Sequence, residues 1–99
     1  MSRGVEYSSA EHAVRGLTRT AAKEYAAQGV RINELQPGVI DTEMPRANPD
    51  GIQEVTDIGI PMRRIGRGEG IATAVALLLS DDASYVTGAH LAVDGGFLA

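Results

Sequence analysis

Apolar side chains recur at every third or fourth position in two stretches of the chain, which is the pattern of an amphipathic helix. In residues 7–27 they fall at Ala10, Val14, Leu17, Ala21 and Tyr25. In residues 69–80 they fall at Ile71, Val75, Leu78 and Leu79. The pattern predicts two helices, the second with these four side chains as its buried face. Gly29 marks the end of the first helix, because glycine adopts the left-handed conformation at little cost.

Two shorter stretches predict β-strands. Residues 30–36, VRINELQ, begin with β-branched side chains, which favour a strand. The candidate strand ends before Pro37, because proline cannot donate a hydrogen bond within a sheet. Residues 89–96, AHLAVDGG, form the second candidate strand. Residues 39–67 contain several prolines and the turn pair Asp50 and Gly51, so they predict a long loop with a short helix near residues 51–58. A loop of this length is usually functional or mobile.

The predicted order is helix, strand, loop, helix, strand, which gives an α/β fold with a parallel strand pair. Two consecutive strands joined through a helix run parallel, with a right-handed crossover. Two strands are few for a parallel sheet, which normally has neighbours on both edges. Glu34 and Gln36 also make the first strand more polar than a buried central strand. We expect residues 1–99 to form a single domain.

Composition and charge exclude several classes of protein. Hydrophobic residues make up 43% of the chain and charged residues 22%, which is typical of a folded globular protein. The net charge is −4 with dispersed basic residues, so neither nucleic acid nor an acidic membrane is an expected partner. No apolar run is long enough to span a membrane, and the N-terminus lacks the apolar segment of a signal peptide, so we expect a cytoplasmic protein.

Few side chains suggest chemistry by themselves. Ser8 and His12 are one helical turn apart, which would suit nucleophilic hydrolysis, although no oxyanion hole or orienting carboxylate accompanies them. His90 is expected to be a paired residue or an edge residue of the second strand. The two histidines are far apart in sequence and the chain has no cysteine, so no metal site is predicted.

Four motifs, in order and at consistent spacings, resemble the C-terminal half of the short-chain dehydrogenase/reductase family. They are YSSAE from Tyr7, RINELQPGVIDT from Arg31, SDDASYVTG from Ser80 and LAVDGG from Leu91. The resemblance covers nearly the whole chain. It implies a partial Rossmann-like, doubly wound fold, a nicotinamide cofactor (NAD or NADP) and a substrate-loop-like segment at residues 39–67.

The resemblance also implies roles for particular residues. Tyr7 takes the place of the family's catalytic acid and base, and Glu11 takes the place of the family's lysine. The stretch that meets the cofactor corresponds to Pro37, Gly38, Ile40 and Thr42. A lysine one turn from the tyrosine favours the tyrosinate, whereas a carboxylate disfavours it. At about 5 Å and an effective dielectric constant of about 20, one unit charge contributes roughly 3 kcal/mol.

The expected function is therefore that of a truncated short-chain dehydrogenase/reductase. The sequence contains no glycine-rich phosphate turn, so we expect no hydride transfer, and no bound cofactor, from this chain alone. One alternative is an oxidoreductase subunit completed by a partner chain with the nucleotide-binding half. Another is a repurposed hydrolase or ligand-binding module. The unpaired edge of the first strand and the apolar helix stripe predict a homo-oligomer or a complex with a complementary chain.

Overall fold

The computed structural model describes residues 2–41, 50–51, 53, 56 and 59–99. The elements in chain order are α1 (Ser2–Tyr25), β1 (Glu34–Pro37), α2 (Gly68–Leu79) and β2 (His90–Val93). Short 3₁₀ turns, Ala26–Gln28 and Asp81–Ala83, follow the two helices. The described residues within 50–59 are helical, in keeping with the short helix predicted near residues 51–58, whose other residues lie outside the described part.

Both helices lie close to their predicted positions. α1 begins five residues earlier than predicted, and Gly29 ends its 3₁₀ extension in the left-handed conformation, with φ 80°. The Gly29 N–H donates to the Ala26 carbonyl at 3.0 Å, which satisfies a carbonyl that the helix end would otherwise expose. α2 differs from the predicted range by one residue at each end.

The two strands pair in parallel, which confirms the predicted fold class. The Glu34 N–H donates to the Ala89 carbonyl at 2.9 Å, and the Gly38 N–H donates to the Val93 carbonyl at 3.0 Å. The partner residues advance in the same direction along both strands, as a parallel ladder requires. Both strands are shorter than predicted: residues 30–33 precede β1, and β2 ends before the turn that begins at Asp94. β1 also includes Pro37, which was expected to follow it; at the last position of a strand the missing proline N–H costs no internal ladder hydrogen bond.

The Asn33 side chain fixes the start of this pairing. Its amide nitrogen donates to the Val86 carbonyl at 3.1 Å, and its amide oxygen accepts the Ala89 N–H at 3.0 Å. The backbone of Ile32 makes two hydrogen bonds to the same segment. Its N–H donates to the Thr87 hydroxyl at 3.1 Å, and its carbonyl accepts from the Gly88 N–H at 2.8 Å. The residues before β2 are therefore tied to those before β1, which sets the register.

The chain divides into two compact units. The first comprises Met1–Glu34 and Ala83–Leu91, and the second comprises Leu35–Asp82 and Ala92–Ala99. Each unit contains part of both strands. Among the described residues, the buried apolar side chains are Ala22 and Ala83 in the first unit and Ile60 in the second. The division leaves the prediction of a single domain untested.

The apolar stripe of α1 is not its inward face. Val14 and Leu17 are 49% and 69% exposed, and Tyr25 is also exposed. The less exposed face carries Glu11, Arg15, Thr18 and Ala22, which lie four, three and four residues apart. The first unit thus turns a largely polar face of α1 inward and leaves the apolar stripe uncovered within the described residues.

The predicted buried face of α2 is also wrong in part. Ile71 and Leu78 are half-buried, but Val75 is 39% exposed and Leu79 is 78% exposed. A helix buries an apolar face only where another element packs on it. The described part of the second unit contains too few elements to cover this helix.

Removing the Asn33 amide should weaken the whole strand pair. Asn33→Ala leaves the Val86 carbonyl and the Ala89 N–H without this partner, so the free energy of unfolding should fall by about 1–3 kcal/mol. Asn33→Asp can still accept from Ala89 but cannot donate to Val86, so its free energy of unfolding should lie between those of Asn33→Ala and the unmodified chain. Urea unfolding followed by circular dichroism measures the three proteins. Equal stability of Asn33→Ala and the unmodified chain would contradict the role given to Asn33.

Candidate functional site

Tyr7 and Glu11 lie on successive turns of α1, as the sequence predicts. The Tyr7 side chain is 64% exposed, whereas Glu11 is half-buried. Residues four apart on a helix have neighbouring side chains, with Cβ atoms about 5–6 Å apart. A carboxylate therefore stands where a cation would be needed to stabilise a tyrosinate at position 7. The catalytic roles of both residues stay predictions.

The Ser8 and His12 pair does not have the geometry of a nucleophile and its base. The His12 Nδ1 atom lies 2.7 Å from the backbone carbonyl oxygen of Ser8, so this ring nitrogen donates to the carbonyl. Both residues are exposed. The imidazole thus bonds to a backbone carbonyl of its own helix, which gives no support to hydrolysis by this pair.

The predicted cofactor-binding residues lie at the end of β1 and after it, in the second unit, while Tyr7 and Glu11 belong to the first. Pro37 is the last residue of β1, and Gly38 follows it. A Cβ atom at Gly38 would lie 2.7 Å from the Asp94 Cβ and 2.8 Å from its Cα, so a side chain here would displace backbone. Glycine therefore lets the chain after β1 pass directly over the end of β2. Thr42 lies outside the described residues.

Ile40 joins the two ends of the predicted substrate loop. It forms a parallel bridge with Gly66, in which the Gly66 N–H donates to the Val39 carbonyl and the Asp41 N–H donates to the Gly66 carbonyl, both at 2.8 Å. The base of the loop is thus closed by backbone hydrogen bonds. The substrate-binding role of residues 39–67 stays a prediction.

The turn after β2 is hydrogen-bonded to the predicted substrate loop at a second place, Met62. Asp94 accepts hydrogen bonds from the Gly96 N–H at 2.9 Å and from the Leu98 N–H at 3.1 Å. The turn that these bonds stabilise presents the Gly95 carbonyl to the Met62 N–H at 3.0 Å. A single carboxylate therefore organises the C-terminal turn, and this turn fixes the loop next to the buried Ile60.

A cluster of charged and titratable side chains was not predicted as a group. Arg15 of α1 reaches His90 at the start of β2, with 3.3 Å between the guanidinium Nη2 and the imidazole Nε2. The His90 Nε2 lies 4.0 Å from Oε2 of Glu34 at the start of β1. His90 is thus a paired residue, as expected. In the sequence, the one sign of a polar site here was Glu34, a charged residue in a predicted strand. Nothing in the helical pattern singled out Arg15.

The sequence as a whole matches a known family. A family model described as enoyl-(acyl carrier protein) reductase matches residues 2–98. The chain belongs to the short-chain dehydrogenase/reductase family. The match confirms the resemblance that the four motifs carry, and it extends from α1 to the turn after β2.

Similar members of the short-chain dehydrogenase/reductase family include a bacterial dehydrogenase and two solved complexes with nicotinamide cofactors. Cis-4-hydroxycyclohexanecarboxylate dehydrogenase of Sinomonas cyclohexanicum is 45% identical over 93 residues, which are 94% of this chain and 37% of the relative. A protein assigned as a 2-deoxy-D-gluconate 3-dehydrogenase of Agrobacterium tumefaciens, with bound NADP, is 42% identical with a TM-score of 0.83 and covers 93% of this chain. A 4-hydroxyisoleucine dehydrogenase complexed with NADH is 31% identical with a TM-score of 0.82 and covers 92% of it.

This short-chain dehydrogenase/reductase chain spans only part of its relatives. It covers 37% of the Sinomonas enzyme and 38% of each of the two solved chains. The structural matches confirm a partial Rossmann-like fold. The family's oxidoreductases use NAD or NADP, as the two complexes illustrate. In the described part of the chain, neither helix combines the length and the apolar character needed to cross a membrane.

Proposed function

We propose that these residues supply the tyrosine helix and the loop after β1 to the site of an NAD(P)-dependent oxidoreductase, and that they do not transfer hydride alone. The family and its cofactors support the first part. The second part is supported by the sequence, which contains no glycine-rich turn to hold the cofactor pyrophosphate. A site of this kind requires a nucleotide-binding part, in a longer form of the chain or in a partner chain.

The observation that carries the proposal is Glu11 one turn after Tyr7. In the proposed reaction the phenol of Tyr7 exchanges a proton with the substrate oxygen, which requires that the tyrosinate be accessible near neutral pH. An ordinary tyrosine has a pKa of about 10, so a nearby cation is needed. Glu11 places an anion there, on the partly buried face of α1, and thereby opposes the ionisation that the reaction needs.

The loop after β1 would face the nicotinamide side of the cofactor. By resemblance, Pro37, Gly38, Ile40 and Thr42 meet the cofactor there, largely through backbone groups. The tight passage of Gly38 over Asp94 and the bridge from Ile40 to Gly66 would hold this backbone in place. A preorganised backbone loses little conformational entropy when a ligand binds.

Reversing the charge at position 11 should restore activity once a nucleotide-binding part is present. The test is a chimera in which this chain replaces the matching C-terminal portion of the Sinomonas dehydrogenase, assayed with that enzyme's own substrate. We expect the chimera with Glu11 to be nearly inactive and Glu11→Lys to raise kcat/KM by about 100-fold or more, since roughly 3 kcal/mol per charge corresponds to about that factor.

Two variants control this experiment. Glu6→Lys makes the same change of charge on an exposed residue of α1 and should leave the chimera nearly inactive. Tyr7→Phe in the Glu11→Lys chimera should remove the gain. Cofactor binding by each chimera shows that it is folded. Equal activity of the chimeras with and without Glu11→Lys, or a gain that survives Tyr7→Phe, would refute the proposed roles.

We also propose that the isolated chain self-associates through the exposed apolar stripe of α1. Leu17 is the most exposed of these side chains, and burying such a residue contributes about 1.5–3 kcal/mol. Light scattering at micromolar concentration should therefore give a mass above the 10.4 kDa of one chain. Leu17→Lys should shift the mass towards the monomer, whereas His12→Lys, on the opposite side of α1, should not. A folded monomer of the unmodified chain would contradict the proposal.

A further inference from the structure

The partly buried cluster of Arg15, Glu34 and His90 joins three elements within the first unit. The side chains of His90 and Glu34 are 21% and 11% exposed. They are neighbours because β1 and β2 begin side by side, with the Glu34 N–H bonded to the Ala89 carbonyl. Arg15 enters from the inward face of α1. No part of the proposed hydride chemistry uses this cluster.

The chemistry of the guanidinium decides how the proton on His90 is placed. An arginine side chain has only hydrogen-bond donors, so the His90 Nε2, 3.3 Å from Arg15 Nη2, must accept. A ring that accepts through Nε2 is neutral and carries its proton on Nδ1. The contact with Glu34 at 4.0 Å is too long for a hydrogen bond. His90 can donate to the Glu34 carboxylate only when Nε2 carries a proton.

Two other polar atoms of the cluster have unused hydrogen-bonding capacity. Arg15 Nε and Glu34 Oε1 are buried and have no hydrogen-bond partner within the described part of the chain. One is a donor and the other an acceptor, and their charges attract. The Arg15–His90 hydrogen bond is a direct link between this polar face of α1 and the start of β2.

We propose that Arg15 is a positioning residue, which holds α1 to the strand pair by donating to a neutral His90 fixed in its Nδ1–H tautomer. Glu34 is the second partner that the ring adopts if it loses Arg15. Tyr7, Glu11 and Arg15 follow one another at intervals of one turn, so the bond anchors α1 two turns beyond Tyr7. Only this consequence for Tyr7 rests on the proposed function; the hydrogen bond does not.

The tautomer can be measured directly on the chain without cofactor or substrate. Long-range proton–nitrogen correlation spectra of ¹⁵N-histidine distinguish Nδ1–H from Nε2–H rings. They are recorded at about pH 8.5, where a histidine of ordinary pKa, about 6.5, is neutral. We expect Nδ1–H for His90, conversion to Nε2–H in Arg15→Met, and retention of Nδ1–H in Arg15→Lys, which keeps a charged donor.

Three controls make the result decisive. Arg19→Met removes an exposed arginine one turn further along α1 and should leave His90 unchanged. His12, bonded to the Ser8 carbonyl, should keep one spectrum in every variant. Glu34→Gln should leave His90 as Nδ1–H, which decides the matter even where Arg15→Met fails to fold. An Nε2–H or averaged ring in the unmodified chain, or a tautomer that follows Glu34 instead of Arg15, overturns the proposal. Because these spectra involve no hydride transfer, their outcome is independent of the chimera assay.

Discussion

The parallel pairing of β1 with β2 is the interaction on which the described structure depends. Both compact units contain part of it, and the Asn33 amide sets its register by bonding Val86 and Ala89 just before β2 begins. At the other end, Gly38 passes against Asp94, whose carboxylate organises the following turn. In the first unit the inward face of α1 contacts His90 at the start of β2, and in the second unit the loop after β1 begins at the end of this pair. The contacts of Asn33 and of Gly38 thus fix the backbone at the two ends of the strand pair.

The charge pattern of α1 separates the chain from what its family would need. The helix keeps Tyr7 and the spacing to position 11, but Glu11 replaces the cation that would stabilise a tyrosinate. The same inward face carries Arg15, which contacts His90. The positive charge on this face therefore serves a structural contact, whereas the position next to the tyrosine is negative. We propose that the chain keeps the scaffold of its family, and that the charge at position 11 opposes the ionisation of Tyr7.

The sequence predicted the element types and the fold class because glycine, proline and the helical spacing act locally. It located the end of the first helix at Gly29 and the parallel order correctly, but it placed Pro37 after the first strand, whereas β1 includes this residue. It misjudged the faces of both helices, because burial depends on which elements are present to cover a stripe: Val14, Leu17 and Leu79 are exposed where only periodicity was considered. The cluster around His90 was unpredictable for the same reason, since Arg15 and His90 are 75 residues apart and meet only through the fold. The candidate site residues followed from the resemblance, and the structure locates all of them except Thr42, which lies outside the described residues.

We propose that this chain has the scaffold of an oxidoreductase without the capacity to bind and use the cofactor by itself. Calorimetric titration of the 99-residue chain with NADH and with NADPH tests that claim most directly. We predict no saturable binding of either cofactor up to concentrations on the order of 1 mM, which corresponds to a binding free energy weaker than about −4 kcal/mol. Saturable binding of either cofactor in the micromolar range, with one site per chain, would contradict it.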